Sequence, residues 1–440
     1  MPYRNIRLHP LLRLIYLFFR LLAWFGTGVF YRRRLVLGTE NYRFDGPAIV
    51  ITNHPSTMMD VLNPGLPVRQ EMFFLANYGL FKHPVSNWLF RRLFSIPVKR
   101  REDVADGEER SNDAAFRQSH QHLEKNGVLF IAPEGTSWIN RWVREFKTGT
   151  ARIAFGAENR NDWKLGVKII PVGLTYSAPH LFRSDVVVNC GEAIWPRDWA
   201  DAWRQNPSKA VGDFTAELQR RVAALTIHTR DEEGEKFIAQ LEEMLENEHP
   251  NRLSQTFQQL KYLAETQLDN EELRAKTAQY FDNLKSTDLT DLGVKTRTAP
   301  SAAWRAVADV FLLVPGLPLF LVGYLFWFLP CYLPWLLNKK LDLYIGYSSI
   351  VKMLAGLITF PLALLAAYHF LPGLLGWPGT GLPVVLLLVL LGYFAEYYLR
   401  VASRVREHFR AGRFANADSE AFAALVSQRR EVLGIIKPKL

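Results

Sequence analysis

The sequence predicts an α/β fold: a sheet with flanking helices, then a helical insertion, then a C-terminal membrane helical region. Three observations carry that prediction. Short β-branched runs alternate with helical patterns up to about residue 196, as expected of helices layered on a sheet. From Arg197 to about Leu292 charged helical stretches continue without a strand signal. From Val310 to Leu399 the chain turns mostly apolar, with few charges. With 440 residues and 49% hydrophobic content, the chain has room for two or three domains and a sizeable core.

The first element is an apolar run from Leu11 to Phe30 that contains Arg13 and Arg20. No small-residue cleavage site follows, so it does not read as a signal peptide. Seven residues apart, the two arginines share one helical face, while Leu14, Leu17, Phe18, Leu21, Trp24 and Phe25 cover much of the rest. His9-Pro10 supplies a start with Pro at the first helical position. Residues 1–34 therefore read as an interfacial helix lying on a membrane, in preference to a span.

Residues 35–196 read as the catalytic α/β domain. Ala48–Thr52, Val128–Ala132, Val167–Thr175 and Val186–Val188 are its strand candidates, and Ser111–Lys125 and Thr148–Ala157 its clearest helices. Residues 197–300 form the charged helical region, with stretches at Asp231–Glu248 and Asn270–Lys285. Residues 301–410 read as membrane-embedded helices. Met353–Leu371 and Leu382–Leu399 each supply about 18 apolar residues, near the minimum for a crossing. Val310–Leu337 is broken by Pro315, Pro318, Pro330 and Pro334, and reads as a re-entrant or surface-lying hairpin. Residues 411–440 read as a basic cytosolic tail.

The net charge of +10 suits nucleic acid, anionic lipid or phosphorylated substrates. Position favours lipid, because Arg32, Arg33 and Arg34 and the group Arg400, Arg404, Arg406 and Arg410 border apolar stretches. No stacking platform for nucleic acid is visible. Only Cys190 and Cys331 are present, so a disulfide framework is not expected, in keeping with catalysis on the cytosolic side. No zinc-type cluster of Cys and His is visible.

The strongest chemical signal is Ile51-Thr52-Asn53-His54-Pro55-Ser56-Thr57-Met58-Met59-Asp60. A histidine accepts protons near neutral pH, and a carboxylate fixes its tautomer. Six residues apart on a regular helix, the two would be rotated by about 240°. The segment must therefore bend, and Pro55 suits a strand-to-loop turn. A second signal is Ile96-Pro97-Val98-Lys99-Arg100-Arg101, whose cations suit a phosphate or simply a solvated surface. The third is Ala132-Pro133-Glu134-Gly135-Thr136-Ser137 followed by Phe146-Lys147-Thr148-Gly149. It offers a carboxylate, a glycine that lets a ligand approach the backbone, two hydroxyls and a cation. An ordinary turn explains it equally well in isolation.

In order along the chain, Asn-His…Asp, the basic segment, Pro-Glu-Gly-Thr-Ser and Ile170-Pro171-Val172-Gly173 resemble the four motif blocks of the glycerolipid acyltransferases. The resemblance covers roughly Tyr42 to Gly191 and implies an acyltransferase-type sheet. It implies that His54 is the general base and Asp60 its orienting partner. It further implies that Arg100, Glu134, Gly135, Thr136 and Lys147 serve the acyl acceptor and Pro171 the acyl-donor side. Five residues separate His54 from Asp60 where most of the superfamily has four. That spacing is similar to the fungal-type membrane glycerol-3-phosphate/dihydroxyacetone-phosphate acyltransferases. The implied reaction moves a fatty acyl group from acyl-CoA or acyl-ACP to the sn-1 hydroxyl of such an acceptor, without metal or cofactor. A lysophosphatidate or other lysophospholipid acyltransferase is the alternative within the enzyme class. A catalytically dead lipid-binding protein on the same fold is the alternative outside it. Membrane lipids are expected partners and nucleic acid is not.

Overall fold

The protein is described as a computed structural model covering residues 9–42, 45–82, 84–93, 95–99, 112–299 and 302–436. It divides into two compact units, Met1–His228 with Leu343–Met353, and Thr229–Asp342 with Leu354–Leu440.

The first unit contains α1 (Pro10–Phe30), β1 (Arg33–Leu37), β2 (Ala48–Thr52), α2 (Met59–Gly65), β3 (Met72–Asn77), α3 (Pro84–Leu93), β4 (Ser95–Val98), α4 (Asp113–Glu124), β5 (Val128–Ile131), α5 (Gly149–Asn159), β6 (Lys168–Tyr176), β7 (Asp185–Cys190), α6 (Ala200–Gln205) and α7 (Pro207–Ala223). The strands form one seven-stranded sheet in the order β1-β7-β6-β2-β5-β3-β4. Every neighbouring pair is parallel except β6 and β7. Because β1 runs with β7, it enters the sheet at the edge where β6 ends, Arg33 standing opposite Asp185.

Burial on both faces explains why the central strands read as continuous apolar runs. All five residues of β2 are buried. Ile49 and Ile51 pack with Leu129, Ile169 and the α5 and α7 side chains Phe155 and Phe214. Ala48 and Val50 face the other way, into a core with Phe130, Ile170, Met59 of α2 and Phe30 and Tyr31 at the end of α1. Ile350 and Met353 join this second core. The unit is thus a three-layer sandwich.

The four strand candidates are all present. Three strands escaped the sequence reading. Met72-Phe-Phe-Leu-Ala-Asn77 has no β-branched residue, and β4 is a four-residue edge strand whose Pro97 an edge tolerates. β1 was hidden by its arginines, which are held by partners within the domain. Arg33 reaches Asp185 at 2.6 Å, Arg32 Nε donates to the same carboxylate at 3.1 Å, and Arg34 donates to Asn63 O at 3.0 Å. Helix α1 turns its own arginines toward the domain. Arg20 donates to Leu66 O at 2.8 Å, Arg13 pairs with Glu71 at 3.2 Å, and the Met72 N–H donates to Tyr16 Oη at 3.1 Å. Leu14, Phe18, Leu21, Trp24 and Phe25 remain exposed on the outer side.

The second unit is helical: α8 (Glu232–Glu248), α9 (Leu253–Thr266), α10 (Glu271–Ser286), α11 (Asp291–Thr298), α12 (Ala302–Leu341), α13 (Ser348–Leu374), α14 (Gly381–Ala417) and α15 (Ser419–Ile436), the first turns of α13 belonging to the first unit. Asp231, Asn270 and Thr290 cap α8, α10 and α11 by accepting backbone N–H groups of the first turn. Buried Arg429 donates to Asp291 at 2.7 Å and Glu248 at 2.9 Å, and Tyr280 Oη to Asp291 at 2.8 Å. Within the segment read as a tail, α15 packs through Arg429 and the buried Leu425 and Val432.

By length and composition α1, α12, α13 and α14 can each cross a membrane. The hairpin expected within 310–337 is not formed, since α12 is one helix of 40 residues with all four prolines inside it. Each proline removes one N–H and orphans the carbonyl four residues earlier, and neighbouring helices can repair that loss. Pro334 orphans Pro330 O, which accepts instead from Thr359 Oγ1 at 3.0 Å. Along its length α12 also packs closely on α14. Tyr398 Oη donates to Leu313 O at 2.9 Å and Trp327 Nε1 to Leu388 O at 2.8 Å. At Gly323 any Cβ would stand only 2.4 Å from Leu391 O.

Candidate active site

The site grows from the C-terminal end of β2, in the middle of the sheet, where open α/β sheets place their ligands. Asn53, the next residue, is buried and mimics a strand partner. Its Nδ2 donates to Leu174 O at 2.9 Å and its Oδ1 accepts from Leu174 N at 2.8 Å. This anchors the backbone to β6 immediately before His54. The chain then turns through Pro55 and Ser56 into α2, whose first turn carries Asp60.

His54 Nδ1 lies 2.9 Å from Asp60 Oδ2, the imidazole 13% exposed and the carboxylate wholly buried. The bend absorbs the five-residue separation at Thr57, whose φ of +46° lies in the left-handed region, costly for a β-branched residue. Thr57 is pinned there: its N–H donates to Ser137 Oγ at 3.2 Å and its Oγ1 to Gly346 O at 3.0 Å. Asp60 accepts three stabilising contacts in all. Besides His54, the Ser56 N–H donates to Oδ2 at 2.6 Å and Tyr176 Oη to Oδ1 at 2.8 Å. Burial pushes this carboxyl above its ordinary range, and the bonds from His54, Ser56 and Tyr176 oppose that shift. Asn63 Nδ2 donates to Tyr176 Oη at 3.2 Å and to Tyr31 Oη at 3.3 Å, which leaves the Tyr176 proton to point at Asp60.

The third signal folds back onto this turn. Trp138 N–H donates to His54 O at 3.0 Å, while His54 N–H donates to Glu134 Oε1 at 3.1 Å. The Arg144 backbone N–H also bonds the Glu134 carboxyl, and burial raises that carboxyl to about 8. Glu134 is thus a buried brace between two loops. Gly135 has φ +74°, and a Cβ there would stand 2.7 Å from Lys147 Nζ, so the ammonium lies against its backbone. Lys147 N–H donates to Pro133 O at 2.9 Å. Thr136 is half-buried beside them. Pro171 sits apart, buried in β6 opposite Ile51, its carbonyl accepting from Gly191 N–H at 2.9 Å. Arg100 lies outside the described residues. Tyr176 and Asn63 went unnoticed in the sequence because an isolated tyrosine at a strand end carries no motif.

The site thus sets a histidine, one ring nitrogen held by a buried carboxylate, at the end of a central parallel strand of an α/β sandwich, an arrangement chemically able to accept a proton. Residues 33–175 match the family model described as Acyltransferase. Over 121 residues the chain is 30% identical to glycerol-3-phosphate O-acyltransferase 1 of Saccharomyces cerevisiae, covering 27% of this chain and 16% of the yeast protein. Over 140 residues it is 27% identical to the chloroplastic 1-acyl-sn-glycerol-3-phosphate acyltransferase BAT2 of Brassica napus, covering 32% of this chain and 36% of that one. The chain therefore spans well under half the length of these relatives. The crystal structure of the 1-acyl-sn-glycerophosphate acyltransferase PlsC from Thermotoga maritima aligns with 48% of this chain and 82% of its own, at 22% identity and a TM-score of 0.34. Residues 33–175 thus form an Acyltransferase-family domain, similar in sequence to glycerolipid acyltransferases.

Proposed function

We propose that this protein transfers a fatty acyl group from acyl-CoA or acyl-ACP to the sn-1 hydroxyl of glycerol-3-phosphate or dihydroxyacetone phosphate, at the cytosolic face of a membrane. The observation that carries this reading is the bond between His54 Nδ1 and the buried Asp60. With Nδ1–H donated to the carboxylate, Nε2 keeps its lone pair for the acceptor. The acceptor hydroxyl gives its proton to Nε2 as its oxygen attacks the thioester carbonyl. The C–S bond then breaks, and the departing thiolate takes a proton from the imidazolium. Lys147 beside Gly135, together with Arg100, would hold the acceptor phosphate. Pro171 would act from the donor side. Similarity to the yeast glycerol-3-phosphate enzyme and the longer His–Asp spacing favour this acceptor. Similarity to the plant protein supports lysophosphatidate as the second reading.

The test offers glycerol-3-phosphate, dihydroxyacetone phosphate and lysophosphatidate in turn to the purified protein with labelled acyl-CoA and, separately, acyl-ACP. His54→Ala should lower the rate by about 10²–10⁴-fold, the usual contribution of a general base. Near-wild-type transfer by that variant would refute the mechanism, and acylation of lysophosphatidate alone would replace the acceptor.

A further inference from the structure

The loop between Ser137 and Phe146 contains a cation that no motif accounts for. The Arg144 guanidinium carbon lies 4.6 Å from the Trp138 ring centre and 4.4 Å from that of Trp142, held between two indole faces. Such stacking keeps a guanidinium planar and oriented while leaving its N–H edge free for an anion. Arg144 Nε is buried without a hydrogen-bond partner, and a buried donor left unmatched is costly. Among the described residues no carboxylate forms an ion pair with it; Glu134, the nearest acidic influence, is already bonded to the backbone N–H groups of His54 and Arg144.

Two backbone bonds place this cation at the catalytic turn. The Arg144 N–H and the His54 N–H share the Glu134 carboxyl, and Trp138, which forms one wall of the clamp, donates its own N–H to His54 O. The loop that carries the guanidinium and the turn that carries the imidazole are therefore joined through Glu134 and Trp138. We infer that Arg144, clamped by Trp138 and Trp142, is a phosphate-binding residue of this site. This rests on the acyltransferase reading, because a phosphate is what both substrates of that reaction carry. A fork with two parallel N–H groups matches a terminal phosphate. The acceptor of that reaction carries such a phosphate on its three-carbon backbone.

The experiment modifies arginines of the full-length protein with phenylglyoxal and maps the adducts by mass spectrometry, with no acyl donor and hence no turnover. Glycerol-3-phosphate should protect Arg144 and glycerol should not. Protection by coenzyme A but not by glycerol-3-phosphate would assign the same site to the donor's phosphates. Equal modification with and without either compound would overturn the inference. Kinetics supply the second arm. Arg144→Gln should raise the Michaelis constant for the protected compound by roughly tenfold or more, with a smaller change in kcat, and Arg144→Lys should recover part of the loss. An unchanged constant in Arg144→Gln counts against the inference. Failure of the wild type to acylate any phosphorylated glycerol would instead remove the functional reading, leaving the protection result to stand by itself.

Discussion

Tyr176 illustrates how one buried hydroxyl can govern the pair His54 and Asp60. Its Oη holds Asp60 Oδ1 at 2.8 Å, and this bond lowers a carboxyl that burial raises. Tyr176→Phe should therefore let Asp60 protonate at higher pH. The acid limb of the kcat profile should move upward, with kcat about tenfold lower and both Michaelis constants little changed. An unmoved limb would show that Tyr176 only packs. Glu134 makes a different statement. Its ordinary value of 4.5 rises to about 8 in the folded chain, chiefly by burial. A raised carboxyl favours folding fully below the unfolded value and loses that contribution as pH climbs through the folded one. Glu134→Gln should thus gain on wild type in melting temperature progressively between pH 5 and pH 8, because only the wild type must bury an ionised carboxylate as pH rises. A gap independent of pH would contradict this.

At the scale of elements, the four apolar runs became strands because a central strand buried on both faces must be continuously hydrophobic. The His54 and Asp60 pair was legible because both residues belong to one short stretch, bent through Thr57. The strands that escaped detection are those whose sequence answers to something else. β1 takes its arginines to Asp185, and β4 lies at an edge where Pro97 is tolerated. The proline-rich α12 misled for a related reason. Proline breaks a helix when nothing replaces the lost bond, and here Thr359 on another helix does so. Thr359→Val should consequently lower the melting temperature modestly, by the equivalent of about 0.6–1.7 kcal/mol, while Thr359→Ser should not. Gly323→Val should cost more, because its Cβ would press into Leu391 O. Equal melting of all three variants with wild type would mean that the α12 contacts contribute nothing.

For the molecule as a whole, the reversed edge of the sheet matters most. Because β1 runs with β7, the outward-facing apolar surface of α1 is delivered to the edge where β6 ends, the same edge that carries His54. If α1 lies in a membrane interface, as its sequence suggests, the end of the domain that carries His54 faces lipid. Long-chain thioesters partition into that lipid, so the relevant concentration is a number per unit area. Adding inert detergent at constant bulk substrate should then slow the reaction as substrate thins out in the surface. Substituting Leu21, Trp24 and Phe25 by serine should weaken that dependence, as initial rates over a detergent series would reveal. A rate indifferent to detergent in the unaltered protein would mean that substrate arrives from water. On the function proposed above, the direction in which one edge strand runs would thereby set the dimensionality of the search: an encounter in a plane, where crowding by other lipids competes with substrate for territory.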